Sequence, residues 1–198
     1  MSSSCLALLC AVSIQGQEVA PRPPDTLQSL KEMLLRQKPV SWVQTPTSPE
    51  ISAEPTPVTA SITDVRVDLE ACTLSFKDGR VFPNARYESV QTWQFKIPEI
   101  DRVIVESLEG FVERLRSEQR QPSWATKTTP TVFVLEIEAL PNHKFPVHRW
   151  SKNNANEIIE RDMQQPSAFI VFPDEAGARE TEKAMLNAKA FCVSKQRR

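Results

Sequence analysis

Glycine is scarce in this chain, with four residues out of 198. Phosphate-cradling loops use Gly to bring backbone N–H groups close to the anion, and neither familiar Gly-rich pattern occurs. Histidine is scarcer still: only His143 and His148. No Cys-x-x-Cys, His-Glu-x-x-His or Gly-x-Ser-x-Gly step is present, so the usual redox, zinc-hydrolase and serine-hydrolase signatures are missing. Neither sign of charge is in excess, since 24 Lys and Arg against 25 Asp and Glu leave a net −1. Without a basic surplus a chain has little to set against a phosphate backbone, and nucleic acid is not expected as a partner. The chain reads as non-catalytic, with no cofactor and no metal expected.

Long apolar runs are also lacking. One compact run, residues 5–14, is too short to span a bilayer and suits the core of a signal peptide. Gly16 follows, then the polar Gln17-Glu18, so residues 1–16 read as a signal peptide cut after Gly16. No Lys or Arg precedes the run, so the charged segment that opens such leaders is absent. The alternative is a buried helix, against which the Pro-rich Ala20-Pro21-Arg22-Pro23-Pro24 argues. Removing the leader leaves about 180 residues, enough for one domain with its own core and without a membrane span.

Two cysteines then remain, Cys72 and Cys192. In an oxidising compartment the simplest outcome is a bridge between them. Two buried thiols acting as small hydrophobes are the alternative.

Residues 17–24 are a Pro-rich lead-in. Asp25 reads as a helix N-cap, with Gln28 three residues on and an apolar stripe at Leu27, Leu30 and Leu34. Pro39 stops that helix and residues 40–43 resemble a brief strand. A Pro-rich loop over 45–61 follows. Beyond it the pattern is mostly β: Val65, Val67, Leu69 alternate, then Cys72, Leu74, Phe76 with shifted parity, so Glu70-Ala71 holds a bulge or tight connection. Asp78-Gly79 signals a hairpin turn. Trp93, Phe95 and Ile97 alternate, and residues 102–105 make another strand. Residues 109–130 fit a helical turn, a strand or a loop. A strand over 131–137 is expected to form a hairpin, through Pro141-Asn142, with residues 143–150. Residues 151–166 read as loop and 168–172 as a strand. Asp174 caps a last helix whose face carries Ala184, Met185, Ala188, Phe191 and Cys192. Residues 194–198 are a basic tail. The expected class is α+β, with about seven strands and then an amphipathic helix.

This order resembles that of small exported bacterial proteins of unknown function with a pleckstrin-homology-like core. The resemblance is carried by the helix opening at Thr26-Leu27-Gln28-Ser29-Leu30, the Cys72-Thr73-Leu74 step, the Asp174-Glu175-Ala176 step and an Ala-rich helix ending in Phe191-Cys192. It implies a half-open antiparallel β-barrel closed by the C-terminal helix, with an extra N-terminal helix, over a single domain at 25–193. A periplasmic or secreted bacterial address is also implied. No catalytic residue comes with it.

Few side chains stand out as candidates for chemistry. His143 and His148 are five apart, and odd spacing along a strand sends them to opposite faces. Glu136 and Glu138 share a strand face, expected to be solvated. Trp124 lies in polar sequence, either a partner anchor or a lid folded over the barrel end. The leading expectation is a non-catalytic envelope module that binds a protein or peptide through a sheet edge or the 109–130 loop. The alternative is a small-molecule or lipid carrier, and a third is a hydrolase with an unsignalled site near the two histidines.

Overall fold

The computed structural model describes residues 23–45, 54–118 and 127–197. Along them run α1 (Pro23–Arg36), β1 (Val40–Thr45), β2 (Thr56–Asp68), β3 (Thr73–Phe82), β4 (Tyr87–Lys96), β5 (Ile100–Ser107), α2 (Leu108–Ser117), β6 (Lys127–Thr129), β7 (Phe133–Ala139), β8 (Phe145–Lys152), β9 (Ile158–Gln165), β10 (Ser167–Phe172) and α3 (Glu175–Gln196). The strands form two antiparallel sheets, one of seven in the order β6-β1-β2-β3-β4-β8-β9 and one of three in the order β10-β7-β5. The class is α+β with a C-terminal helix, as expected.

The barrel expectation is corrected: the sheets are not closed into one. The reason lies at Pro141-Asn142, expected to close a hairpin. Asn142 takes a φ of 66°, and the turn hands the chain from one sheet to the other. Strand β7 pairs with β5 and β10, whereas β8 pairs with β4 and β9. Each sheet therefore keeps its own edges, and among the described residues ten strands replace the expected seven or so.

Several local expectations also change. Helix α1 opens at Pro23, ahead of the cap expected at Asp25. The loop read over 45–61 gives way to strand from Thr56 onward, where Val58, Ala60 and Ile62 alternate into the interior. Pro57 is accommodated because it pairs with Val43 on one side, while pairing to β3 begins only at Thr59. The tight connection expected at Glu70-Ala71 is present, with Asp68 Oδ1 accepting from Glu70 N at 2.8 Å and Ala71 N at 2.9 Å. Asp78-Gly79, expected as a turn, lies inside β3. There a Cβ on residue 79 would sit 3.2 Å from Ser61 Oγ, so Gly serves close approach of the neighbouring strand. The turn falls later, at Pro83–Ala85, with Arg86 left-handed. Part of the ambiguous 109–130 region is helix α2, and the loop expected over 151–166 contains β9. Helix α3 runs into the basic tail, ending at Gln196.

The main core lies between the sheets under α1 and α3. Leu27, Leu30 and Leu34 of α1 meet Ala178, Met185 and Ala188 of α3 in one buried cluster with Phe76, Phe95 and Phe145. Phe95 and Phe145 pack edge to face with centroids 4.6 Å apart. Asp174 Oδ1 caps α3, accepting from Gly177 N at 2.8 Å. Cys72 and Cys192 are bonded across 120 residues, with Cα atoms 5.8 Å apart, so the end of α3 is stapled to the start of β3. Lys195 Nζ reinforces that junction by donating to the carbonyls of Leu69 and Glu70. A second cluster joins β1, β2, α2, β7 and β10 through Trp42, Val58, Phe111, Val112, Val134 and Val171. This second cluster borders the feature of functional interest.

Candidate functional site: an arginine-lined cavity

Three adjacent strands of the larger sheet change character along their length. Side chains two apart share a face, and on β3 that face carries Phe76, Asp78, Arg80 and Phe82. The register aligns Phe76 with Trp93 and Val147, Asp78 with Gln91 and Arg149, and Arg80 with Ser89 and Ser151. One end of the inward face is thus aromatic and aliphatic, and the next two rows are polar. Asp78, Ser89 and Ser151 are buried even so.

Beside the polar rows the interior is not filled. A cavity of about 600 Å³ remains, against about 300 to 400 Å³ for other surface hollows. Its apolar wall includes Trp42, Val58, Leu108, Phe111, Phe169 and Val171. Gln44, Arg80, Tyr87, Ser89, Gln91 and Arg149 supply polar groups. This volume and mixture fall within the range of small-molecule sites, which are concave, mostly apolar and marked by a few polar groups.

The two guanidinium groups differ in their surroundings. Arg80 Nη2 donates to Asp78 Oδ2 at 2.7 Å, and the guanidinium lies over the Phe169 ring, 4.1 Å from its centroid. Burial pushes the Asp78 carboxyl above the usual range, while Arg80 pulls it back down. Arg149 has no carboxylate partner among the described residues; its Nη2 donates to the Tyr87 hydroxyl at 2.5 Å. The Nε–H groups of Arg80 and Arg149 and the indole N–H of Trp42 are buried without an acceptor. Every fully buried orphaned polar atom among the lining residues is therefore a donor.

Helix α2, one wall of the cavity, is fastened from both ends. Ser107 Oγ caps it by accepting from Gly110 N at 3.0 Å. Arg114, near its last turn, donates from Nε to Glu106 Oε1 at 2.9 Å and pairs with Glu136 at 2.5 Å. Burial disfavours the charge on Arg114, but hydrogen bonds to Glu106 and Glu136 outweigh it and hold its proton more tightly than usual. This corrects the expected solvent position of Glu136, which is 1% exposed because α2 covers its face of β7. Glu138 sits two residues on and pairs with Arg102 at 2.5 Å. Each acid is thus engaged by a different arginine, and neither lines the cavity.

The two histidines are not brought together. His143 is 3.8 Å from a Glu99 carboxylate oxygen, and His148 Nδ1 is 2.8 Å from Asp162 Oδ1 on the exposed β9. Trp124 lies outside the described residues. Cys72 and Cys192 belong to the main core and do not line the cavity. Arg80 and Arg149 were not singled out by sequence reasoning. Their signal is a charged residue on the parity that otherwise faces inward: Phe76-x-Asp78-x-Arg80-x-Phe82 on one strand, Phe145-x-Val147-x-Arg149 on another.

No protein-family model matches the chain, and neither a curated protein nor a solved structure matches it. Among the described residues no helix is long and apolar enough to cross a membrane, and no group of three or more His, Cys, Asp or Glu is placed to hold a metal ion.

Proposed function

We propose that this protein is a non-catalytic binding module that holds a small amphipathic molecule in the cavity between the larger sheet, α2 and β10. The observation that carries the reading is a cavity of about 600 Å³ beside the polar rows of the larger sheet, with two arginines set into a mostly apolar wall. An exported, bacterial-envelope setting is part of the proposal. It draws support from the Cys72–Cys192 bond, since such bonds persist in oxidising compartments, and from the resemblance to exported proteins with a pleckstrin-homology-like core. The open sheets depart from that core.

Native mass spectrometry of chain purified from a bacterial envelope tests the reading. An added mass is expected on the wild type and should be lost on Ala85→Trp, which fills the cavity from an exposed position. The reading fails if the wild type carries no added mass, or if the variant retains it at equal occupancy.

A second reading, closer to a protein- or peptide-binding module, rests on β9. This strand ends the seven-stranded sheet and exposes Ile158 at 60% and Ile159 at 42%. Such an edge adds a strand from a partner readily. Amide exchange along β9 that slows on mixing with envelope extract supports it, and unchanged exchange removes it.

A further inference from the structure

The cavity's charge pattern narrows what it holds, given the small-molecule reading above. A guanidinium has five N–H donors in a planar fork. Arg80 is already committed to Asp78 and to the face of Phe169. Arg149 spends one donor on the Tyr87 hydroxyl and meets no carboxylate among the described residues. Of the charged side chains that line the cavity, Arg80 is offset by Asp78 and Arg149 is left over.

An uncompensated guanidinium beside apolar walls is costly unless something of opposite sign arrives with the ligand. The orphaned donors point the same way: Trp42 Nε1, Arg80 Nε and Arg149 Nε are buried without an acceptor, and no fully buried side-chain oxygen of the lining residues is left without a donor. A head group rich in acceptors and without donors answers that pattern. Enclosed as these N–H groups are, they reach an acceptor through the side-chain adjustment that commonly accompanies binding.

Charge sets the head group more finely. A neutral ester or alcohol leaves Arg149 unbalanced, whereas a phosphate monoester brings nearly two negative charges to a site with one to spare. A carboxylate brings one, in a planar shape that a guanidinium grips with two parallel bonds. The remaining lining is wide and apolar, with Trp42, Phe111 and Phe169 as its aromatic surface.

We infer that the cavity takes a monocarboxylate with an apolar body, its head group received by Arg149 beside the Tyr87 hydroxyl and its body lying against Trp42, Phe111 and Phe169. Arg149 acts as the anchor. Arg80, neutralised by Asp78, shapes the wall and adds a second donor.

The test uses the full chain, freed of bound material, and three probes of one chain length: decanoate, methyl decanoate and decyl phosphate, titrated calorimetrically at neutral pH. Decanoate is expected to bind at least tenfold more tightly than either of the others. Arg149→Met should weaken decanoate at least thirtyfold while changing methyl decanoate less than threefold, and Arg149→Lys should recover part of the loss. Thermal melts of both variants establish that they fold. Equal binding of decanoate and its ester overturns the carboxylate assignment but leaves the small-molecule reading in place. Tighter binding of decyl phosphate overturns the single-charge argument. An equal loss of ester and acid in Arg149→Met shows that Arg149 shapes the wall and does not anchor the head group. Absence of binding by all three probes overturns both readings together.

Discussion

Asp78 is a buried acid paired with Arg80 of the cavity wall. Its carboxyl is 3% exposed, and burial raises its pKa above the ordinary value of about 3.9 despite the neighbouring Arg80. The folded chain therefore holds this proton to higher pH than the unfolded chain does. The resulting stability is fully present below the unfolded value and is lost as pH rises through the raised folded one. Asp78→Asn has no such proton, so the difference in melting temperature, wild type minus variant, should fall as pH is raised from 3 toward 7. A difference that rises over that interval would show Asp78 to be held below its ordinary value. Phe95 tests the neighbouring dry end of the same face. It is fully buried against Phe76, Trp93 and Phe145, and Phe95→Ala should cost about 3–5 kcal/mol in urea unfolding. Phe95 was legible from alternation alone. Asp78 was not, because the dipeptide Asp-Gly carries a strong local turn preference, overridden here by pairing on both flanks of β3. Alternation identifies which residues share a face, but not what stands opposite that face. The cavity wall formed by Phe111 and Phe169 comes from elements distant in sequence, which explains why Arg80 and Arg149 escaped notice.

Among the elements, α2 is the one whose position decides whether the cavity exists. Its apolar residues Leu108, Phe111 and Leu115 line the space, and Arg114 ties its last turn to Glu106 on β5 and Glu136 on β7. Breaking one side of a buried ion pair typically costs ~3–5 kcal/mol, and the 23% exposure of Arg114 places Arg114→Met toward the lower end. Urea unfolding measures this. A loss below about 1 kcal/mol would show the pair to be screened as a surface bridge is. Helix α2 was ambiguous in sequence because it is only ten residues long, and Phe111, Val112 and Leu115 suit either period. Helix α3 was legible for the opposite reason: an Asp cap and a stripe at Ala184, Met185, Ala188 and Cys192 repeat over several turns. Strand β9 was missed because it exposes both its faces along most of its length, leaving no alternation to read. An edge strand with one neighbour is held by its ladder, and ladders leave no mark on composition.

At the scale of the whole molecule, two open sheets need something to bind them, and α3 does so together with the Cys72–Cys192 bond. The helix packs on α1, β5, β7 and β10, touching elements of both the helical layer and the smaller sheet. The bond then fixes its far end to the turn between β2 and β3 in the larger sheet. The even cysteine pair was readable once the leader was set aside, but the open sheets were not, because sheet closure depends on which strands pair across 30 or more residues. Opening a loop of 120 residues costs about 4–5 kcal/mol in the chain-entropy picture, a large share of the ~5–15 kcal/mol that holds a typical domain together. Replacing both cysteines by Ala should therefore lower the urea midpoint strongly while leaving a cooperative transition, since Lys195 and the buried Ala178, Met185 and Ala188 still dock the helix. Ending the chain at Ala176 should go further. It removes those buried residues and leaves Leu27, Leu30 and Leu34 without the helix they pack against, so no cooperative melt by circular dichroism is expected. A truncated chain that still unfolds cooperatively would show that α1 and the sheets bury enough between them, and that α3 is a cover on a core already formed.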